Sequence, residues 1–228
     1  MTLTGSSTAA SAPSRLRGFP DGHPFFRLSQ AAVAAGLHLM ADVRAQHMDH
    51  CPPRGPVVLA SNHLSYFDIP LIGAWAPRTT LFFSKVEVRR WPVIGWIGAQ
   101  YGTIFVRRGE SDRNAIREAI AALTAGQMVG VFPEGHRSHG TGLLVAQPGV
   151  ALLALRGGAT VWPVGITGSE HIMKRGRPTV TLTGGEPFDP LAAAHDAYGE
   201  KPSHQQVAET IMRRIAALLP ESYRGQYG

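Results

Sequence analysis

The stretch Asn62-His63-Leu64-Ser65-Tyr66-Phe67-Asp68 places a histidine five residues ahead of an aspartate. An imidazole is the side chain whose ordinary pKa lets it take up a proton near neutrality. A carboxylate beside it fixes the tautomer and stabilises the imidazolium formed on proton abstraction. The pair is therefore a candidate general base with its orienting partner. The spacing attaches a condition. Residues five apart on a regular helix lie roughly 140° round from each other. The two side chains meet only if His63 sits in a turn ahead of the helix that carries Asp68. Without that turn they are a loop histidine and a helix cap.

Three further segments carry candidate chemistry. In Phe132-Pro133-Glu134-Gly135-His136-Arg137-Ser138, Arg137 can grip a phosphate through two parallel N–H groups. Glu134 can orient that arginine or hold an acceptor hydroxyl, and Gly135 lets the backbone approach a ligand closely. The plain alternative is a Pro/Gly loop with a surface ion pair. Gly102-Thr103-Ile104-Phe105-Val106-Arg107-Arg108 reads as a strand delivering positive charge to a sheet edge, where open α/β sheets bind ligands. The plain alternative there is a solvated basic strand end. Val161-Trp162-Pro163-Val164-Gly165 is an apolar strand whose proline predicts a bend or an edge position.

The elements that must position these groups follow from local pattern. Residues 1–24 are rich in Ser, Ala, Gly, Thr and Pro and read as a flexible tail. Residues 25–50 read as an N-terminal helical segment, with a mostly helical run from Phe25 to Gln46. That run is either an ordinary core-packed helix or one lying in a membrane interface. Residues 51–228 read as one domain. Strands are expected at Pro56–Ala60, Thr80–Ser84, Thr103–Val106, Met128–Phe132, Ala159–Thr167 and Thr179–Thr183. Helices are expected at Ile69–Trp75, after the Ser111-Asp112 cap, from Pro148 to Leu155, and after Ser203, which forms a capping box with Gln206. Gly126 stands where a helix C′ residue belongs. Strands alternating with helices give an α/β single domain with a largely parallel central sheet flanked by helices.

Composition narrows the partners. Of the 228 residues, 44% are hydrophobic and 17% charged, enough apolar mass for a core and too little charge for disorder. Cys51 stands alone, which excludes an internal disulfide framework. No run of about 18 uncharged apolar residues occurs, so a transmembrane helix is not expected. The N-terminus has neither the basic nor the apolar region of a secretory signal. The net charge of +6, mostly from arginine, points to a phosphate-bearing partner. Nucleic acid has only this charge in its favour, with no recognisable module. No G-x-S-x-G elbow, Walker motif or G-x-G-x-x-G loop is present. His136 and His139 have metal-ligand spacing but no third ligand beside them.

Taken in order, N-H-x-x-x-x-D, G-x-I-F-V-x-R, F-P-E-G-x-R-S and a Pro-containing apolar strand resemble the four blocks of the glycerolipid acyltransferase family, typified by 1-acylglycerol-3-phosphate acyltransferases. The resemblance runs roughly over residues 50–185. It implies His63 as general base, Asp68 as its partner, and Arg108, Glu134, Gly135 and Arg137 as acceptor-binding residues. Ser84-Lys85-Val86-Glu87 is similar to the family's lysine-containing stretch, which implies Lys85 near the acceptor phosphate. Arg107 stands where an acidic residue is common, and His136 where threonine is common. The implied reaction moves a fatty acyl group from acyl-CoA or an acyl carrier protein thioester to the hydroxyl of a lysophosphatidic acid-like acceptor. It needs no metal, cofactor or covalent enzyme intermediate. The implied location is cytoplasmic and peripheral on an anionic membrane, with Arg89-Arg90 and Trp91–Ile97 as one contact. A transacylase using a whole phospholipid as donor, and a non-catalytic phospholipid-binding protein of the same fold, are the alternatives.

Overall fold

A computed structural model describes residues 24–85, 103–106, 113–138, 141–174 and 176–228. Among the described residues seven strands form one sheet: β1 (Asp42–Gln46), β2 (Val57–Ser61), β3 (Thr80–Lys85), β4 (Ile104–Val106), β5 (Met128–Val131), β6 (Thr160–Thr167) and β7 (Thr179–Gly184). Their spatial order is β1-β7-β6-β2-β5-β3-β4. All neighbouring pairs are parallel except β6 with β7, which is antiparallel. The mostly parallel α/β architecture expected from the alternating pattern is thus present.

Helices cover both faces, and the period-two alternation of the strands divides the core between them. Val58, Ala60, Val129 and Val161 point to one face. There they meet α3 (Arg113–Thr124), α4 (Gly149–Arg156), α5 (Pro190–Tyr198) and α6 (His204–Ala216). Val57, Leu59, Met128 and Trp162 point to the other, against α1 (Pro24–Met40) and α2 (Asp68–Trp75). Each fully buried Val or Leu contributes about 1.5–3 kcal/mol, so the one-residue register of β2 is strongly fixed. The capping box of Ser203 and Gln206 opens α6 as expected. Gly126, at φ 79°, closes α3 with its N–H on Leu123 O while Gln127 N–H bonds Ala122 O, a Schellman pair. The cap expected at Ser111-Asp112 lies outside the described residues.

Two expectations need correction. The run from Phe25 is helical only to Met40, and Asp42–Gln46 is an edge strand of the central sheet. Its last helical bond joins Ala41 N–H to Leu37 O, after which Asp42 N–H bonds Pro178 O and Val43 falls into register with Val180. Residues 25–50 therefore do not form a purely helical unit. Pro163 lies on β6, which is interior, not at an edge. In an extended residue the N–H and C=O positions share one side. Pro163 O accepts from Gly185 N–H at 2.8 Å, just beyond the end of β7. The missing donor thus faces the gap past β7 and costs no bond with β2.

Candidate active site

The strands β6, β2, β5, β3 and β4 run parallel, so the segments leaving them emerge along one edge of the sheet. His63 follows β2, Phe132–Ser138 follows β5 and Ser169 follows β6. Because β2 lies between β5 and β6, three loops distant in sequence meet around His63. This is the carboxyl edge at which open α/β sheets bind their ligands.

The condition set by the five-residue spacing is met. His63 lies in an irregular turn after β2, and Asp68 is the first residue of α2. His63 Nδ1 is 2.7 Å from Asp68 Oδ2. A carboxylate can only accept, so Nδ1 carries the hydrogen and Nε2 is the basic nitrogen. No described residue bonds Nε2, and the His63 side chain is 17% exposed while that of Asp68 is 0% exposed. The same Asp68 oxygen accepts from Leu64 N–H at 2.7 Å and Ser65 N–H at 2.9 Å. Its other oxygen accepts from the hydroxyl of Ser169. The aspartate thus shapes the turn that brings His63 to it.

The loop after β5 is built largely around His63. Phe132 stacks on the imidazole, with ring centroids 3.9 Å apart and planes within 12°. Phe82 stacks in turn on Phe132 at 5.8 Å. Ser138 N–H bonds His63 O at 2.8 Å. Glu134 accepts from His63 N–H at 2.8 Å through Oε1 and from Leu144 N–H at 3.0 Å through Oε2. Expected to orient Arg137 or to hold an acceptor hydroxyl, Glu134 is instead fully buried, with both oxygens on backbone donors. Burial pushes its carboxyl up to about 7, the two backbone bonds pull against this, and the nearby Asp68 charge adds to the rise. Gly135 makes the loop possible at φ 74°, a left-handed conformation that side chains disfavour, and its N–H closes a turn on Phe132 O.

Arg137 is half-buried and has no carboxylate partner among the described residues. Its guanidinium lies over the ring of Tyr66, and its Nη2 donates to the Tyr66 hydroxyl at 3.1 Å. A positive group with no carboxylate partner among the described residues, tied to the His63 segment through Tyr66, can receive an anionic oxygen. Lys85 closes β3 in register with Val106, the last residue of β4. That brings the ends of β3 and β4 to the same sheet edge. Arg107, Arg108 and Trp91–Ile97 lie outside the described residues, as does His139. No cluster of three potential metal ligands occurs among the described residues.

Three contributors escaped the sequence reading. Asn62 extends β2 through its side chain: Nδ2 donates to Ile166 O and Oδ1 accepts from Ile166 N–H, both at 2.8 Å. The only signal was its place between a buried strand and His63. Tyr66 was marked by nothing but its position inside the His–Asp segment. Ser169 carried no local signal, since it reaches Asp68 across 101 positions.

Comparison with known proteins agrees with this geometry. Residues 42–167 match the Acyltransferase family. The chain is 42% identical over 116 residues to a lyso-ornithine lipid O-acyltransferase of Pseudomonas aeruginosa, a stretch covering 50% of this chain and 44% of that protein. It is 34% identical over 176 residues to a 1-acyl-sn-glycerol-3-phosphate acyltransferase of Neisseria gonorrhoeae, covering 74% and 68% of the two. The crystal structure of the 1-acyl-sn-glycerophosphate acyltransferase PlsC from Thermotoga maritima superposes with a TM-score of 0.70 at 27% identity, over 83% of this chain and 76% of that one.

Proposed function

Because this chain belongs to the acyltransferase family, we propose that it transfers a fatty acyl group from a thioester to the free hydroxyl of a single-chain lyso-lipid whose headgroup carries a phosphate or carboxylate. The observation that carries the reading is the pairing of His63 Nδ1 with buried Asp68, which leaves Nε2 basic. Nε2 takes the proton of the acceptor hydroxyl as its oxygen attacks the thioester carbonyl. The carbon–sulfur bond then breaks, an ester forms, and the imidazolium returns the proton to the departing thiolate of coenzyme A or acyl carrier protein. Every proton is accounted for by His63, and no covalent acyl-enzyme is needed.

Lysophosphatidic acid is the first acceptor to consider. Arg137, without an acidic partner among the described residues, suits a phosphate, and Lys85 and Arg108 are proposed to help, with Gly135 giving the headgroup room. Two relatives support it, one of them also in fold. A lyso-ornithine lipid is the second, favoured by the higher identity over half the chain. Its headgroup would offer a carboxylate to the same guanidinium. Mass spectrometry after incubation with lysophosphatidic acid, lyso-ornithine lipid and monoacylglycerol, each with long-chain acyl-CoA, decides between them. Product formed only when a diacyl phospholipid replaces the thioester would make the protein a transacylase. No product from any donor would leave a lipid-binding protein.

The acceptor's acyl chain lies in a bilayer, so we also propose peripheral docking on an anionic membrane. No helix among the described residues is long and apolar enough to span one. α1 packs on α2, with Gln30 Nε2 donating to Gly73 O and Ala76 O, yet Leu28 and Leu39 stay exposed. Flotation with anionic vesicles should weaken in high salt, since each Lys or Arg near such a surface contributes roughly 1 kcal/mol. Protein that stays at the bottom at low salt would remove the docking proposal and leave the chemistry intact.

A further inference from the structure

We infer that Ser169 is a positioning residue of the acyl-transfer site, locking the rotation of the Asp68 carboxylate so that Oδ2 stays in line with His63. This rests on the proposed roles of His63 and Asp68. The donors around Asp68 are unevenly divided. Oδ2 receives three: His63 Nδ1, Leu64 N–H and Ser65 N–H. Among the described residues, Oδ1 has one close donor, the hydroxyl of Ser169, with Ser65 Oγ at the outer limit of 3.5 Å. The terminal torsion of an aspartate is broad and roughly two-fold. Donors on one oxygen alone leave that torsion soft, and a swing of the carboxylate carries Oδ2 out of line with Nδ1. A donor fixed on Oδ1 closes the second end.

Ser169 is itself rigidly placed. It opens the short 3-10 turn Ser169–His171 after β6, with His171 N–H on Gly168 O and Ile172 N–H on Ser169 O. Gly168 precedes it at φ 80°, and a Cβ there would lie 2.2 Å from Thr179 O, so the turn is pressed against the start of β7. The next residue, Glu170, accepts from the Tyr223 hydroxyl at 2.7 Å and pairs with His171 Nε2 at 3.4 Å, which anchors the far side of the turn. Ser169 and Asp68 are 1% and 0% exposed, so no bulk water competes for the bond. A hydroxyl donating to an ionised carboxylate in such a place makes a charge-assisted bond. The dyad is thus held from both sides of β2: by the loop after β5, through His63, and by the turn after β6, through Asp68.

The test uses Ser169→Ala and Ser169→Thr, each also combined with Asp68→Asn. Ser169→Ala should lower kcat about tenfold, the worth of one hydrogen bond to a charged group, with the KM for both substrates within about twofold. Ser169→Thr, which keeps the hydroxyl, should recover most of that rate. On the Asp68→Asn background, adding Ser169→Ala should cost less than about twofold, because the group it positions has lost its charge. An unchanged kcat in folded Ser169→Ala would overturn the inference. So would equal losses on both backgrounds, or a loss confined to KM, since either describes general packing. If Ser169→Ala does not fold, the Ser169→Thr pair alone decides, by whether retention of the hydroxyl retains kcat. Full activity in His63→Ala would instead overturn the dyad itself, so the two failures are distinguishable.

Discussion

The guanidinium of Arg137 lies over the Tyr66 ring, its Cζ 3.8 Å from the centroid, while its Nη2 donates to the hydroxyl of the same tyrosine at 3.1 Å. One residue from the His63 segment thereby holds an arginine from the loop after β5 by two contacts. Arg137→Ala should raise the KM for an anionic lyso-lipid about tenfold or more, with little effect on the thioester donor. Arg137→Lys should be nearly as poor, because a point charge neither stacks nor forks. Tyr66→Ala should cost about two- to fivefold in the same KM, in keeping with roughly 0.5–1 kcal/mol for a cation–π contact at an accessible site. The check is a neutral monoacylglycerol as acceptor. Equal losses with it would remove the anion role.

His63→Ala should lower turnover about 10²–10⁴-fold while the protein stays folded. Asp68→Asn should lose nearly as much, and its fold should survive for a stated reason. The asparagine oxygen can replace Oδ2 toward His63, Leu64 and Ser65, and its NH₂ can donate to the Ser169 hydroxyl, which can accept as well as donate. Only the charge is lost. The double variant should be little worse than His63→Ala, because groups acting as a unit are not additive. Steady-state rates and thermal melts of all three proteins decide this. Turnover near the wild-type value in His63→Ala would end the assignment.

Glu134 links stability to pH with an unusual sign for a carboxylate. Its folded pKa of about 7 lies above the ordinary value of 4.5. Between those values the folded state holds a proton that the unfolded state has released. Stability from this group is therefore fully present below about pH 4.5 and is lost as pH rises to about 7, by on the order of 3 kcal/mol. Glu134→Gln removes the titration, so the gap between wild type and variant should change across that window and level off above it. Urea unfolding of both proteins at pH 5, 6 and 8 measures it, and parallel profiles would refute it. Kinetics separate its two conceivable roles. A holder of His63 should lose kcat on substitution, whereas substitution of an acceptor-binding group should raise KM.

The interior strands β2, β3, β5 and β6 were legible as short, largely apolar runs and β7 by its alternation of threonine with apolar residues, and the caps at Ser203 and Gly126 because their chemistry is local. β1 was not legible. Asp42–Gln46 buries only Val43, its Asp-Val-Arg-Ala-Gln alternation is short and offers just one large apolar side chain, and its partner strand lies far along the chain. Pro163 suggested an edge because a sequence does not tell which side of a strand its neighbour has already left. At the site, the residue types and the His63–Asp68 spacing stated what chemistry was possible and what turn it required. What holds the pair could not be inferred the same way. Glu134, Phe132 and Ser138 reach His63 across about seventy positions, and Ser169 reaches Asp68 across a hundred. Strand order alone brings them together, and side-chain periodicity does not encode strand order.

Asn62 offers a test of how β2 hands over to the His63 turn. Its amide makes both bonds that a backbone residue would make with Ile166, one position past the end of β2. Asn62→Ala leaves Ile166 N–H and C=O unpaired in a buried place, a loss of about 2–4 kcal/mol. Asn62→Asp keeps an acceptor for the N–H, lacks a donor for the C=O, and buries a charge. It should be the worse variant at pH 8. Its carboxyl, disfavoured as an ion, should titrate above the ordinary aspartate range, and once protonated its O–H can donate to Ile166 O. Stability lost at pH 8 should therefore return as pH falls toward 5, a trend that Asn62→Ala should not share. Thermal melts of the two variants against pH measure this directly. An Asn62→Asp protein as stable as wild type at pH 8 would mean that the amide donor is dispensable and that the turn carrying His63 is held by its other bonds.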